Sequence, residues 1–172
     1  MIVTNYSTDE KTFLELTMKK VKQIVLYMFV LFFFTNSFAL AQNAEDVVKY
    51  RKNIMKAIGS HISVIASNVK GKVVIESDII PHAKALYLTI SSINIEKTFP
   101  SDTAPNDNLK TRSLSEIWEK PKEFALALNN SVKKANDLLS ATETKDMKLI
   151  GKALGALGKS CGACHKTFRK EK

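Results

Sequence analysis

Cys161-Gly162-Ala163-Cys164-His165, near the C-terminal end of a 172-residue chain, brings two thiols three positions apart beside an imidazole. Two cysteines so spaced, with a histidine directly after the second, form the attachment pattern of c-type haem. Each thiol can make a thioether to one vinyl group of a porphyrin, and the histidine can then bind the iron from one face of the ring. Other chemistries use the same residue types. A thioredoxin-like redox pair sits at a helix N-terminus after a strand. This pair instead lies near the C-terminal end of a helical stretch, where the helix dipole raises rather than lowers a thiol pKa. A zinc site would need a fourth ligand from His61 or His82, and neither stands at a finger-like spacing. A plain disulfide is the usual fate of two cysteines in an oxidising compartment. Haem attachment is the reading that fits both the motif and its place in the chain.

Four amphipathic segments must position that motif. From Glu45 to Lys70 there is no proline, and Arg51, Met55, Ile58, Ile62, Ile65 and Val69 recur at steps of three and four, which predicts a helix. A second segment, Ser77 to about Glu96, repeats the rhythm through Ile79, Ala83, Leu86, Ile90 and Ile93, with Ser77 as its expected N-cap. Residues 99–113 have no periodicity and carry Pro100 and Pro105, so they read as a loop. A third helical segment spans Ser115 to Leu139, with Ile117, Phe124, Leu128, Ala135 and Leu139 inward. Pro121 should either bend it or mark its true first turn, with Trp118 on a short turn before. The last segment, Thr144 to Arg169, puts Met147, Ile150, Leu154, Leu157, Cys161, Cys164 and Phe168 on one stripe, and His165 on the same face as Cys161. Gly151, Gly155 and Gly158 lower helix propensity there, but let a flat porphyrin or a neighbouring helix come close. No strand candidate competes, and the predicted fold is an all-α antiparallel four-helix bundle.

The first forty residues stand apart. Met18-Lys19-Lys20-Val21-Lys22 is a basic start, an apolar run continues through Ile24–Phe34, and Ala39-Leu40-Ala41 supplies small residues before Gln42. These are the three parts of a signal peptide, with cleavage expected after Ala41. The apolar core is too short for a comfortable membrane span, so no stable anchor is expected. Residues 1–17 look unlike a leader, and translation starting at Met18 rather than Met1 is the alternative. The expected domains are therefore 1–41, an extension with the leader, and 42–172, the exported bundle. Export points to the periplasm, where c-type haem is attached. The mature chain would carry 22 basic against 14 acidic residues. Its lysines are scattered, without aromatics interleaved, which excludes a nucleic-acid binder and leaves a solvated surface as the plain reading.

Several strings resemble the class II cytochromes c, which comprise cytochrome c′ and its low-spin, methionine-ligated relatives. They are Tyr50-Arg51-Lys52-Asn53-Ile54-Met55-Lys56-Ala57-Ile58-Gly59, Ile117-Trp118 with Phe124, and Gly158 through Arg169 across the cysteine motif. The resemblance covers the whole mature chain. It implies one haem c carried by Cys161 and Cys164, with His165 as proximal ligand and Arg169 close to it. It also implies a distal residue from the first helix, here at Met55. An apolar side chain at that place leaves a five-coordinate iron open to NO or CO, whereas a bonded thioether makes it six-coordinate. The step Phe99-Pro100 and Ile117-Trp118 are closer to the methionine-ligated branch, so His/Met ligation is expected, with the open cytochrome c′ site as alternative.

A methionine on an apolar stripe is also ordinary core filling. Arg51, at the edge of that stripe, either snorkels to water or meets a haem propionate, whose charge suits its fork. His61 and His82 read as ordinary solvated histidines, and Trp118 and Phe124 as core or haem-packing residues. Lys152, Lys159, Lys166, Lys170 and Lys172 form either a solvated face or a rim for an acidic redox partner. Bundles of the family often dimerise through their first two helices. No acid–base pair or nucleophile is visible, so the expected role is a one-electron carrier rather than an enzyme.

Overall fold

The computed structural model of the chain describes residues 6–34 and 43–171. The chain divides into two compact units, Met1–Ala41 and Gln42–Lys172. In the first, a single helix α1 (Tyr6–Phe34) runs through the basic start and the apolar stretch. No helix among the described residues is long and apolar enough to cross a membrane. The expected cleavage point between Ala41 and Gln42 lies outside the described residues.

The second unit is built on four long helices, α2 (Ala44–Val69), α3 (Ile79–Ser91), α6 (Pro121–Glu143) and α7 (Met147–Phe168). Two single turns, α4 (Ile95–Thr98) and α5 (Glu116–Glu119), lie between α3 and α6. Among the described residues there is no strand. The one extended pairing there is a bridge between Ser113 and Arg169. Caps mark the starts of the two helices that matter most. Asn43 Oδ1 accepts from Glu45 N at 3.0 Å to open α2, and Asp146 Oδ1 accepts from Lys148 N at 2.7 Å to open α7. Gly71, at φ +65°, turns the chain after α2 in a conformation that costs other residues more.

Two expectations need correction. Ser77 is not an N-cap: residues 76–78 form a 3₁₀ turn, and α3 begins at Ile79 without a side-chain cap. The second segment also does not run on to Glu96. It stops at Ser91, because Asn94 Oδ1 takes Lys97 N at 2.9 Å and starts a fresh turn. Pro121 resolves as the first residue of α6, where its missing N–H costs nothing, and Trp118 lies on the short turn before it.

Each long helix sends a fully enclosed side chain to one centre: Ile65, Leu86, Leu138, Ile150 and Leu157. Burial of each such side chain stabilises the bundle by about 1.5–3 kcal/mol. A Cβ at Gly151 would stand 3.1 Å from Val69 Cγ1, so the C-terminal end of α2 touches the N-terminal end of α7. At the opposite pole the start of α2, the segment after α3, the start of α6 and the end of α7 meet. Arg51 lies over the Phe99 and Trp118 rings there, and Phe124 stacks on Phe168. The four helices therefore run up and down in turn.

Candidate functional site

The second pole holds the cysteine motif. Phe99, Phe124 and Phe168 form an edge-to-face series with centroids 4.9 Å and 5.1 Å apart, and Trp118 meets Phe99 at 6.5 Å. The Trp118 indole N–H donates to the Phe99 carbonyl at 3.0 Å, which fixes its ring. Cys164 packs against this aromatic cluster, and Cys161 one turn earlier packs against the main core. Both thiols are free and half-buried. Burial pushes both thiols up from their usual range, and for Cys164 the neighbouring Cys161 adds to the rise.

Helix register puts Met55 level with His165. Met55 lies fourteen residues before Val69, and His165 fourteen residues after Gly151. At 1.5 Å per residue both are about 21 Å from the Val69–Gly151 contact, along antiparallel helices. Gly59 on α2, and Gly155, Gly158 and Gly162 on α7, have nothing within 4 Å of where a Cβ would stand. Gly151 thus serves the close approach of a helix, while the later glycines border open space. Met55 shares the α2 stripe yet is 40% exposed and belongs to neither packed cluster, so it is not core filling. Two thiols and an imidazole near the end of α7, with Met55 at the same level on α2, suit a covalently attached flat macrocycle.

His165 is half-buried, and burial first, then the charges of Arg169 and Arg112, push its pKa down. The imidazole is therefore neutral near neutral pH, the form that has a lone pair for a metal. Arg169 was expected beside it. Arg112 was not, because it reaches the end of α7 only through the clasp in which its Nε donates to Lys170 O at 2.9 Å and Lys170 N donates back at 2.8 Å. Nothing in the local spacing signals a contact across that separation.

Arg51 does not snorkel; it is 5% exposed. Its Nη1 donates to Thr103 Oγ1 at 2.6 Å and Thr98 O at 3.3 Å. Its Nη2 donates to Thr111 Oγ1 at 3.3 Å and Thr103 O at 3.4 Å. Burial lowers its pKa. The guanidinium ties α2 to the segment that carries Phe99, and so to the wall against which Cys164 packs.

His61 and His82, read above as solvated, are half-buried and joined across α2 and α3, with Nδ1 to Nδ1 at 2.8 Å and ring centroids 5.0 Å apart. At that distance one nitrogen donates and the other accepts, so at least one ring is neutral. Burial and then His82 lower the pKa of His61 from its ordinary 6.5. The unfolded chain then takes up the proton more readily, so this stability is fully present above 6.5 and declines as pH falls below it. Thermal unfolding from roughly pH 7.5 to pH 5 should show a falling midpoint, and His61→Gln should flatten that slope. An unchanged slope would remove the pair from the acid response. Among the described residues no group of three or more potential metal-ligating side chains occurs, so neither histidine completes the zinc site considered above.

A bundle that presents this donor set in this arrangement is a c-type haem protein. Residues 46–169 match the sequence profile of the family described as Cytochrome C′. Cytochrome c′ of Pararhodospirillum photometricum is 35% identical over 125 residues, 73% of this chain and 97% of that protein. Cytochrome c′ of Rhodospirillum rubrum is 33% identical over 135 residues, 78% of this chain and 89% of that protein. A nitric oxide complex of a mutant cytochrome c′ from Alcaligenes xylosoxidans superposes with a TM-score of 0.67 at 25% identity, covering 76% of this chain and 98% of that one. The chain belongs to the cytochrome c′ family, and its cofactor is a covalently bound haem c.

Proposed function

We propose that this is an exported cytochrome c′ that binds a diatomic gas such as NO or CO at a five-coordinate iron and passes single electrons to and from partner proteins. The observation that carries the reading is the match of residues 46–169 to the family described as Cytochrome C′, with cytochrome c′ relatives at 35% and 33% identity. Met55, on α2 at the level of His165, is the side chain that would stand on the distal side.

Bound haem supplies an iron that changes oxidation state and has a coordination position for a small ligand. Cys161 and Cys164 would anchor it, and neutral His165 would hold the iron, with burial and then the charges of Arg169 and Arg112 keeping that imidazole unprotonated. Met55 stands guard on the distal side and sets the space through which a ligand enters. Arg51 has its two terminal nitrogens engaged by the loop, and its Nε is the N–H left for a propionate. Residues 1–41 act as the export leader, removed after Ala41, and residues 42–172 work in the periplasm.

The test is the spectrum of the reduced exported protein. A five-coordinate, high-spin signature that shifts on adding NO is expected. Met55→Ala should speed NO association on the order of tenfold, about 1.4 kcal/mol of removed obstruction. A low-spin spectrum that Met55→Ala converts to high-spin would overturn the reading and make Met55 the sixth ligand.

A further inference from the structure

Charge in the second unit is divided between its two sides. The stretches 47–75 and 147–170, which hold α2 after its first turn and the whole of α7, carry twelve Lys and Arg and no Asp or Glu, while the first turn of α2 carries Glu45 and Asp46. The rest of Gln42–Lys172 holds fourteen Asp and Glu against ten Lys and Arg. All of the twelve except Arg51 are exposed or at the surface. The basic helices are therefore the ones that carry Met55 and the cysteine motif, and residues 76–146 hold eleven Asp and Glu against nine Lys and Arg.

Periodicity sets several of these lysines on one exposed stripe of each helix. On α2, Lys52, Lys56 and Gly59 recur at steps of four and three, on one stripe. On α7, Gly155, Lys159, Gly162 and Lys166 follow the same rhythm. The glycines on both stripes are exposed and have nothing within 4 Å of a Cβ, so no neighbouring segment covers the lysines' backbone beside them. The ion pairs among the described residues are both on α6, between Asp137 and Lys133 or Lys134. The α2 and α7 lysines have no carboxylate partner among them.

We propose that this α2–α7 side is the docking face for a protein partner with a carboxylate-rich surface around its own redox centre. The inference rests on haem being held by α7, as proposed above. Opposite charge would steer encounter and raise the association rate, which is where such a surface acts most. Glycines between the lysines let the partner's surface approach closely. A membrane-binding face would instead interleave its basic residues with large apolar side chains, and these stripes do not.

The experiment follows oxidation of the ferrous holoprotein by anionic ferricyanide and by a cationic tris(phenanthroline)cobalt complex. Salt is raised from about 0.01 M to about 0.15 M, where the Debye length falls from ~30 Å to ~8 Å. The ferricyanide rate should fall about tenfold, and the cobalt rate should rise. Lys56→Glu/Lys159→Glu/Lys166→Glu should reverse both trends, while Lys84→Glu/Lys122→Glu/Lys133→Glu, with the same change in net charge, should keep them. Polyglutamate should compete with ferricyanide in the unmutated protein, and phosphatidylglycerol vesicles should leave it in solution. Equal effects of the two triple variants, sedimentation with the vesicles, or self-association relieved by salt would overturn the proposal. Exported protein without covalent haem would instead mean that the haem reading has failed.

Discussion

Replacing Cys161 and Cys164 together with serine is expected to abolish haem that survives denaturing electrophoresis. A thiol adds across a vinyl group, forming the C–S bond at one carbon and placing its hydrogen on the other. A serine hydroxyl does not do so under the same conditions. Both thiols are half-buried and pushed up by burial, so they stand protonated at neutral pH and ready as S–H groups. Serine fits the same space, and both positions lie inside α7, so the helix should persist. Haem that remains would be dissociable and held through His165 alone. Either single variant should retain one thioether and a haem stain at lower yield. The assay is haem stain against total protein for the exported forms, with helix content from circular dichroism as the folding control. A full-strength stain from the double variant would refute the anchoring role.

That motif was legible because it is contiguous, and its meaning needs no partner from elsewhere in the chain. The four long helices were legible for a related reason: steps of three and four announce which face is apolar. Pro121 left two options, a bend or a first turn, because it lacks an N–H, and the structure takes the second. What periodicity does not encode is the identity of the neighbour. Arg51 and Met55 share one stripe, yet the first is buried and the second is 40% exposed. The difference comes from Thr98, Thr103 and Thr111, which lie in a segment with no period and are 47 to 60 residues away. The pairing of His61 with His82 has the same origin, since each looks like an isolated surface residue until α2 packs on α3. The break after Ser91 is hidden in the sequence because Ile93 prolongs the apolar rhythm, while the Asn94 cap is a polar event.

Arg51→Ala should destabilise the holoprotein by about 3–4 kcal/mol, the largest effect expected of any single residue outside the central core. A buried guanidinium is costly to desolvate, and here the cost is offset by four hydrogen bonds and by two aromatic faces, Phe99 at 4.8 Å and Trp118 at 6.0 Å. Alanine removes all of these at once and leaves the buried Thr98 carbonyl and Thr103 without their donor. Lysine keeps the charge but not the fork, and cannot reach two threonines in one plane, so Arg51→Lys should recover less than half of the loss. Thr103→Val deletes one acceptor at a fully enclosed site and should cost about 1 kcal/mol. The effects of Arg51→Ala and Thr103→Val should not add, because they remove the same hydrogen bond. Denaturant midpoints at a common slope give the ordering. The covalent haem content should stay unchanged, since the thioethers do not depend on this contact. The Phe99 wall beside Cys164 should loosen, however, and Arg51→Ala should alter the haem absorbance in step with its lost stability. If Arg51→Ala shifted the midpoint by no more than a surface lysine substitution does, the guanidinium would not be the tie that joins α2 to the wall of the haem site.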